Sequence, residues 1–186
     1  MLDLVECAAD FQAFLESKGA NFAFIGGVAN LVWGSIRFTH DVDVTVFTGF
    51  VGEAEFIADV LAHYRGRHPD TAAFALQARV LLLFGKNDIP IDIGLAGFPY
   101  EEQALERATY EPVLGNMRLR VISAEDLILT KAFAGRLQDW ADIEKVIDRG
   151  GDLLNRDLIL SVAVGLAELK DDPELLPNLR RKLGLS

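Results

Sequence analysis

The sequence predicts an α/β domain followed by a helical portion. Three observations carry this. Short apolar runs of strand length at residues 21–25, 41–47 and 89–95 are interleaved with helical patterns up to about residue 122. From Ser123 onward every apolar pattern has the helical period. Turn residues punctuate the first part at Gly19, Gly26-Gly27, Gly34, residues 85–88 and Gly115-Asn116. The expected organisation is an α/β core over residues 1–122 and a helical portion over 123–186, packed on or beside that core.

The elements follow in order. Residues 3–18 put Leu4, Ala8, Phe11 and Leu15 on one helical face, and Lys18-Gly19 is the stop. Residues 21–25 read as a short buried strand, Gly26-Gly27 as a turn, and residues 28–33 as a short helix closed by Gly34. Residues 41–47 alternate as a strand, and residues 53–64 carry Phe56, Ile57, Val60, Leu61 and Tyr64 at helical spacing. Residues 74–84 and 89–95 are apolar runs around the turn at 85–88, the pattern of a β-hairpin. Residues 100–107 suit a short helix, and residues 109–114 and 117–122 flank Gly115-Asn116 as a second hairpin. Ser123 followed three residues later by Asp126 opens a helix in capping-box style. Helices are expected over 124–135, 138–148, 155–169 and 173–183, with Gly150-Gly151 in a loop and Pro173 in a first turn.

Composition excludes several classes. A formal net charge of −10 argues against a broad nucleic-acid surface, which needs many lysines and arginines to neutralise phosphates. The same balance suits a protein that binds cations. The single cysteine, Cys7, rules out an intramolecular disulfide and a cysteine zinc cluster, and its helical setting suggests a buried thiol. No secretion signal opens the chain, and no stretch approaches the roughly 20 apolar residues of a membrane span. A cytoplasmic protein off the membrane is expected.

Two carboxylates, Asp41 and Asp43, interrupt an otherwise apolar strand. Alternation puts them on one face and Val42 and Val44 on the other. The valine face can be core; the acid face must be wet or hold a cation, because buried unpaired carboxylates are costly. Asp92, between Ile91 and Ile93, repeats the arrangement on another strand. Oxygen ligands of this kind suit Mg²⁺ or Mn²⁺. Gly26-Gly27 stands before a short helix, where backbone N–H groups can cradle phosphate and glycine permits close approach. Together these features point to metal-assisted nucleotidyl transfer.

The stretch "GGVANLVWGSIRFTHDVDV" resembles the minimal nucleotidyltransferase family of the polymerase-β-like superfamily. That family's motif joins Gly-Gly or Gly-Ser to an acidic–hydrophobic–acidic triplet and a third acid on a later strand; Gly26, Gly27, Asp41, Asp43 and Asp92 match it. The downstream "SAEDLILTKAFAGRLQDWADIEKV" is similar to the helical segment of AbiEii-like toxins, with Lys131, Arg136, Asp139 and Asp142 in the same order. The resemblance implies a mixed sheet flanked by helices. It implies an NTP, ATP among them, as donor and an acceptor hydroxyl on an RNA end, a protein or a small molecule. It also implies a toxin role, an antitoxin or other helical partner, and a homodimer among the assemblies to consider. Two positions depart from the pattern. Gly27 stands where relatives can carry Ser, so a hydroxyl role on phosphate passes to backbone N–H. His40 stands where relatives often carry Lys or Arg.

The expected roles are therefore catalysis and metal binding for Asp41, Asp43 and Asp92, with Asp92 also helping to deprotonate the acceptor. Nucleotide contacts are expected from Gly26, Gly27, Arg37, Thr39 and Lys131. Trp33 reads as core, and His63 and His68 as surface beside Arg65 and Arg67 in a loop-like stretch. His40 points away from Asp41 by strand alternation. Arg136, Asp139 and Asp142 suit a salt-bridge set as well as chemistry. Two other function classes stay open: a binding module of the same fold acting through a helical partner, and a metal-dependent phosphoesterase using the same acids.

Overall fold

Among the described residues, seven strands form one mixed sheet in the order β3-β4-β5-β2-β1-β7-β6. In chain order they are β1 (Phe22–Phe24), β2 (Val42–Phe47), β3 (Arg65–Gly66), β4 (Val80–Phe84), β5 (Pro90–Ala96), β6 (Thr109–Leu114) and β7 (Met117–Val121). The computed structural model describes residues 1–36 and 39–185. β2 runs parallel to β5 and antiparallel to β1, so two strands that are far apart in sequence lie side by side at the middle of the sheet. Their alternation is strict. Val42, Val44 and Val46 are buried, as are Ile91, Ile93 and Leu95, while Asp43 and Asp92 face the other way.

The chain divides into two units, Met1–Val28 with Arg37–Ile122, and Ala29–Ile36 with Ser123–Ser186. In the first, helices α1 (Leu2–Ser17), α3 (Glu53–Leu61), α4 (Thr71–Ala78) and α5 (Pro99–Glu106) accompany the sheet. Helix α2 (Gly26–Trp33) starts in the first unit and continues into the second. α1 is tied to β7 by Gln12, whose amide donates to the Arg118 carbonyl and accepts from the Arg120 N–H at 2.8 Å. Leu4, Ala8, Phe11 and Leu15 are all buried, as the helical period predicts. Phe11 meets Tyr64 edge-on at 5.1 Å between ring centroids, a geometry favoured by the ring quadrupoles. Cys7 is buried too, and loss of solvent pushes its thiol up to about 11, so it is a packing group rather than a nucleophile.

The second unit contains α6 (Ala124–Ala134), α7 (Leu137–Gly150), α8 (Arg156–Lys170) and α9 (Leu175–Lys182). The Asp126 N–H donates to Ser123 Oγ at 3.1 Å, the cap that the sequence announces. α6 ends at Gly135 in the left-handed region, and Asn155 caps α8 through the Leu158 N–H. Among the described residues no helix is long and apolar enough to cross a membrane.

Two expectations are corrected. Residues 74–84 do not form a single strand. Thr71–Ala78 is helical, Arg79 turns the chain at φ 54°, and only Val80–Phe84 is strand, pairing antiparallel with β5. Ala72, Ala73, Ala75, Leu76, Gln77 and Ala78 are good helix formers, and an apolar run leaves their period ambiguous. Arg79 is held in its left-handed conformation from outside: its guanidinium bonds Glu53 and the carbonyls of Gly49 and Leu95. Gly26 and Gly27 also prove to be the first residues of α2 rather than a turn ahead of it.

Candidate active site

The parallel pairing of β2 with β5 sets Asp43 directly opposite Asp92. Asp41 lies just before β2. One carboxylate oxygen from each of Asp41, Asp43 and Asp92 lies within 4.8 Å of the others, and all three residues are half-buried. Chains 49 residues apart thus converge because one register aligns them.

The glycines join this group through contact. Gly26 has φ +51°, a region that L side chains rarely adopt, and a Cβ there would stand 2.1 Å from Asp43 Oδ2. The Gly27 N–H donates to the same oxygen at 3.4 Å, and the Asp43 carbonyl accepts from the Ile25 N–H at 3.0 Å. The start of α2 is thereby fitted against Asp43, and only glycine at position 26 allows it.

Gly27 has its own constraint. A Cβ there would lie 2.5 Å from Thr39 Oγ1 and 2.9 Å from Thr39 Cβ. The departure from Gly-Ser therefore has a steric cause: Thr39 fills the space a serine would need. Its hydroxyl donates to Asp41 Oδ1 at 2.9 Å, so Thr39 touches both the glycine start and the first acid. Arg37, expected at the triphosphate, lies outside the described residues.

Arg67 is a site residue that sequence reasoning missed. The sequence puts it in a loop-like surface stretch. Its N–H donates to the Leu82 carbonyl at 3.0 Å, extending the β3–β4 pairing by one residue, and its guanidinium forms an ion pair with Asp92. Burial pushes the Asp92 carboxyl above its ordinary range; the Arg67 charge opposes that, and the Asp41 charge adds to it. No periodicity marks Arg67 in the sequence. Only strand pairing brings it near Asp92.

Lys131 has a different setting, within the second unit. It is 5% exposed, and its ammonium donates to Asp142 Oδ2 at 2.6 Å and Asp139 Oδ1 at 3.3 Å. Arg136 Nε donates to Asp139 Oδ2 at 2.6 Å, and Gln138 to Asp142 Oδ1 at 3.2 Å. Burial alone would raise the Asp139 carboxyl, yet the hydrogen bonds and charges of Arg136 and Lys131 outweigh it and hold the group below its ordinary value. Lys131, Arg136, Asp139 and Asp142 form an ion-paired set that joins α6 to α7. His63 and His68 are exposed, as the surface reading expects; the His63 ring lies tilted 5.2 Å from Phe14 and the His68 ring stacks 5.4 Å from Phe74, between ring centroids.

Three carboxylates on and just before adjacent strands fit a divalent cation. They repel one another and share one face, and the Arg67 guanidinium pairs with Asp92. Asp41, Asp43 and Asp92 are the residues that could hold it.

Comparison with solved structures places this fold. An antigenic nucleotidyltransferase-like protein from Paracoccidioides brasiliensis is similar at TM-score 0.56 and 15% identity, over 96% of this chain and 92% of that one. The antibiotic-resistance factor ANT(2'')-Ia is similar at TM-score 0.57 and 17% identity, over 91% of this chain and 97% of that one. No curated protein matches in sequence. A family model described as "Nucleotidyl transferase of unknown function (DUF2204)" matches residues 6–181. With nearly the whole chain inside that match and the mixed sheet of the nucleotidyltransferase fold beneath it, the protein belongs to the DUF2204 family of nucleotidyltransferases.

Proposed function

We propose that this enzyme transfers a nucleoside monophosphate from an NTP to an acceptor hydroxyl with the help of Mg²⁺ or Mn²⁺ held by Asp41, Asp43 and Asp92. The observation that carries the reading is the convergence of these carboxylates within 4.8 Å beside the glycine start of α2. Bound there, the cation would supply charge stabilisation to the phosphoryl oxygens and the leaving pyrophosphate. The chain's own groups do the rest. Asp92, whose carboxyl is raised by burial, accepts the acceptor hydroxyl proton as the new O–P bond forms and the bond to pyrophosphate breaks. The N-terminal amides of α2 receive phosphate oxygens. Thr39 orients Asp41 and presents its hydroxyl at the mouth of that cradle.

In this reading Lys131 is assigned to joining α6 with α7, since its ammonium is enclosed by two carboxylates. Arg37 is proposed as a triphosphate contact on its sequence position alone. The net charge disfavours an extended polynucleotide acceptor. The occurrence of this fold in an antibiotic-resistance factor makes a small-molecule hydroxyl the first acceptor class to test. The likeness of residues 123–146 to AbiEii-like toxins supports a toxin role as an alternative setting for the same chemistry.

Calorimetric titration of each of the four NTPs, with and without Mg²⁺, into wild type and Asp43→Asn tests the reading. Wild type is expected to bind at least one NTP only with the metal, and the variant to bind none. Binding that is equal in the two proteins removes the trio from the site. Absence of binding by folded wild type favours a binding module acting through a helical partner.

A further inference from the structure

We propose that Arg67 is a resident counter-cation of the acid trio, seated on Asp92, and that it limits how tightly the trio takes a divalent metal. The inference rests on the reading of the trio as a metal site.

Strand pairing carries the argument. Asp43 lies opposite Asp92, Asp92 opposite Leu82, and the Arg67 N–H donates to the Leu82 carbonyl. Leu82, Asp92 and Asp43 therefore form one row across β4, β5 and β2 that Arg67, the residue after β3, continues, and residues in a row share a face. The Arg67 side chain spans Leu82 to reach Asp92, where it makes an ion pair. The neighbouring Arg65 pairs outward with exposed Asp88 at 2.6 Å, so the two arginines of this edge serve different acids.

The pairing is not a closed structural clamp. Arg67 Nε is buried and has no acceptor among the described residues. A guanidinium locked for stability alone would be expected to satisfy that donor, because an unmet buried donor is costly. The Arg67 charge also stands on an acid that a metal would have to use. Any cation that engages Asp92 does so against Arg67, whether the guanidinium is displaced or stays beside the ion. A lone structural role predicts that losing Arg67 disorders Asp92 and weakens metal binding. A resident counter-cation predicts the opposite sign.

Mn²⁺ titration followed by the electron paramagnetic resonance of the free ion decides between them. Wild type, Arg67→Gln, Arg67→Lys and Asp43→Asn are compared, with thermal unfolding recorded for each. Arg67→Gln is expected to bind Mn²⁺ about ten-fold tighter than wild type, because one opposing charge is gone. Arg67→Lys keeps the charge without the fork and is expected within about three-fold of wild type. Unchanged or weaker binding by folded Arg67→Gln overturns the proposal. If Arg67→Gln does not fold, a ten-fold weakening in Arg67→Lys overturns it equally, since Arg67 would then build the site rather than compete for it. Wild type that binds no Mn²⁺ in an Asp43-dependent way brings down the trio reading and this inference together.

Discussion

At Gly26 a methyl group has nowhere to go. The backbone is left-handed, and the space beyond it belongs to Asp43. Gly115 offers the contrast: φ is +57°, but nothing lies within 4 Å of an added Cβ. Both Gly→Ala changes should cost about 1 kcal/mol in backbone strain. Only Gly26→Ala must also push Asp43 aside. It is expected to lose about 2–3 kcal/mol in urea unfolding and to bind Mn²⁺ at least about ten-fold more weakly, with Gly115→Ala near wild type in metal binding. Equal metal affinities in the two variants would mean that the glycine contact does not hold Asp43 in place. Thr39 belongs to the same scale. It occupies the space next to Gly27 and donates to Asp41, so the second glycine and the threonine are one packing solution.

Among elements, α6 and α7 are joined by a buried ion-paired set. Lys131 is the buried cation between Asp139 and Asp142, and Arg136 and Gln138 complete the hydrogen bonds. Removing one partner of such a set leaves uncompensated charge in a place water does not reach. Lys131→Met is therefore expected to destabilise by about 3–5 kcal/mol in chemical denaturation, and the triple change that adds Asp139→Asn and Asp142→Asn to recover part of that loss. A triple variant as unstable as the single one would show that packing, rather than charge, carries the junction. Those residue types at those helical positions build an ion-paired turn.

Across the whole molecule, the acid trio concentrates negative charge in a protein that already carries −10. A cation that binds only the folded form should stabilise it by mass action. At one hundred times its dissociation constant, Mn²⁺ is expected to contribute about 2.7 kcal/mol. For a chain of this size that raises Tm by about 5–10 °C, and chelation should reverse it. The joint variant Asp41→Ala with Asp43→Ala should show no such rise in differential scanning fluorimetry. A rise that persists in that variant would put the stabilising cation elsewhere.

The local pattern of the chain determined a good deal of this. Alternation in residues 41–47 and around Asp92 was enough to separate valine and isoleucine faces from acid faces, because the pleat has a period of two whatever the surroundings. Helical periods and the Ser123 cap located the four C-terminal helices within a few residues. The same local reading failed at residues 74–84, where an apolar run has no period of its own and the reversal at Arg79 is imposed by Glu53, Gly49 and Leu95. Strand order decided what the sequence could not carry. Asp43 meets Asp92 because β2 and β5 pair in parallel, and Arg67 reaches Asp92 because β3 and β4 lie beyond them. Register is a relation between distant segments, so its consequences for the site appear only when the sheet has formed.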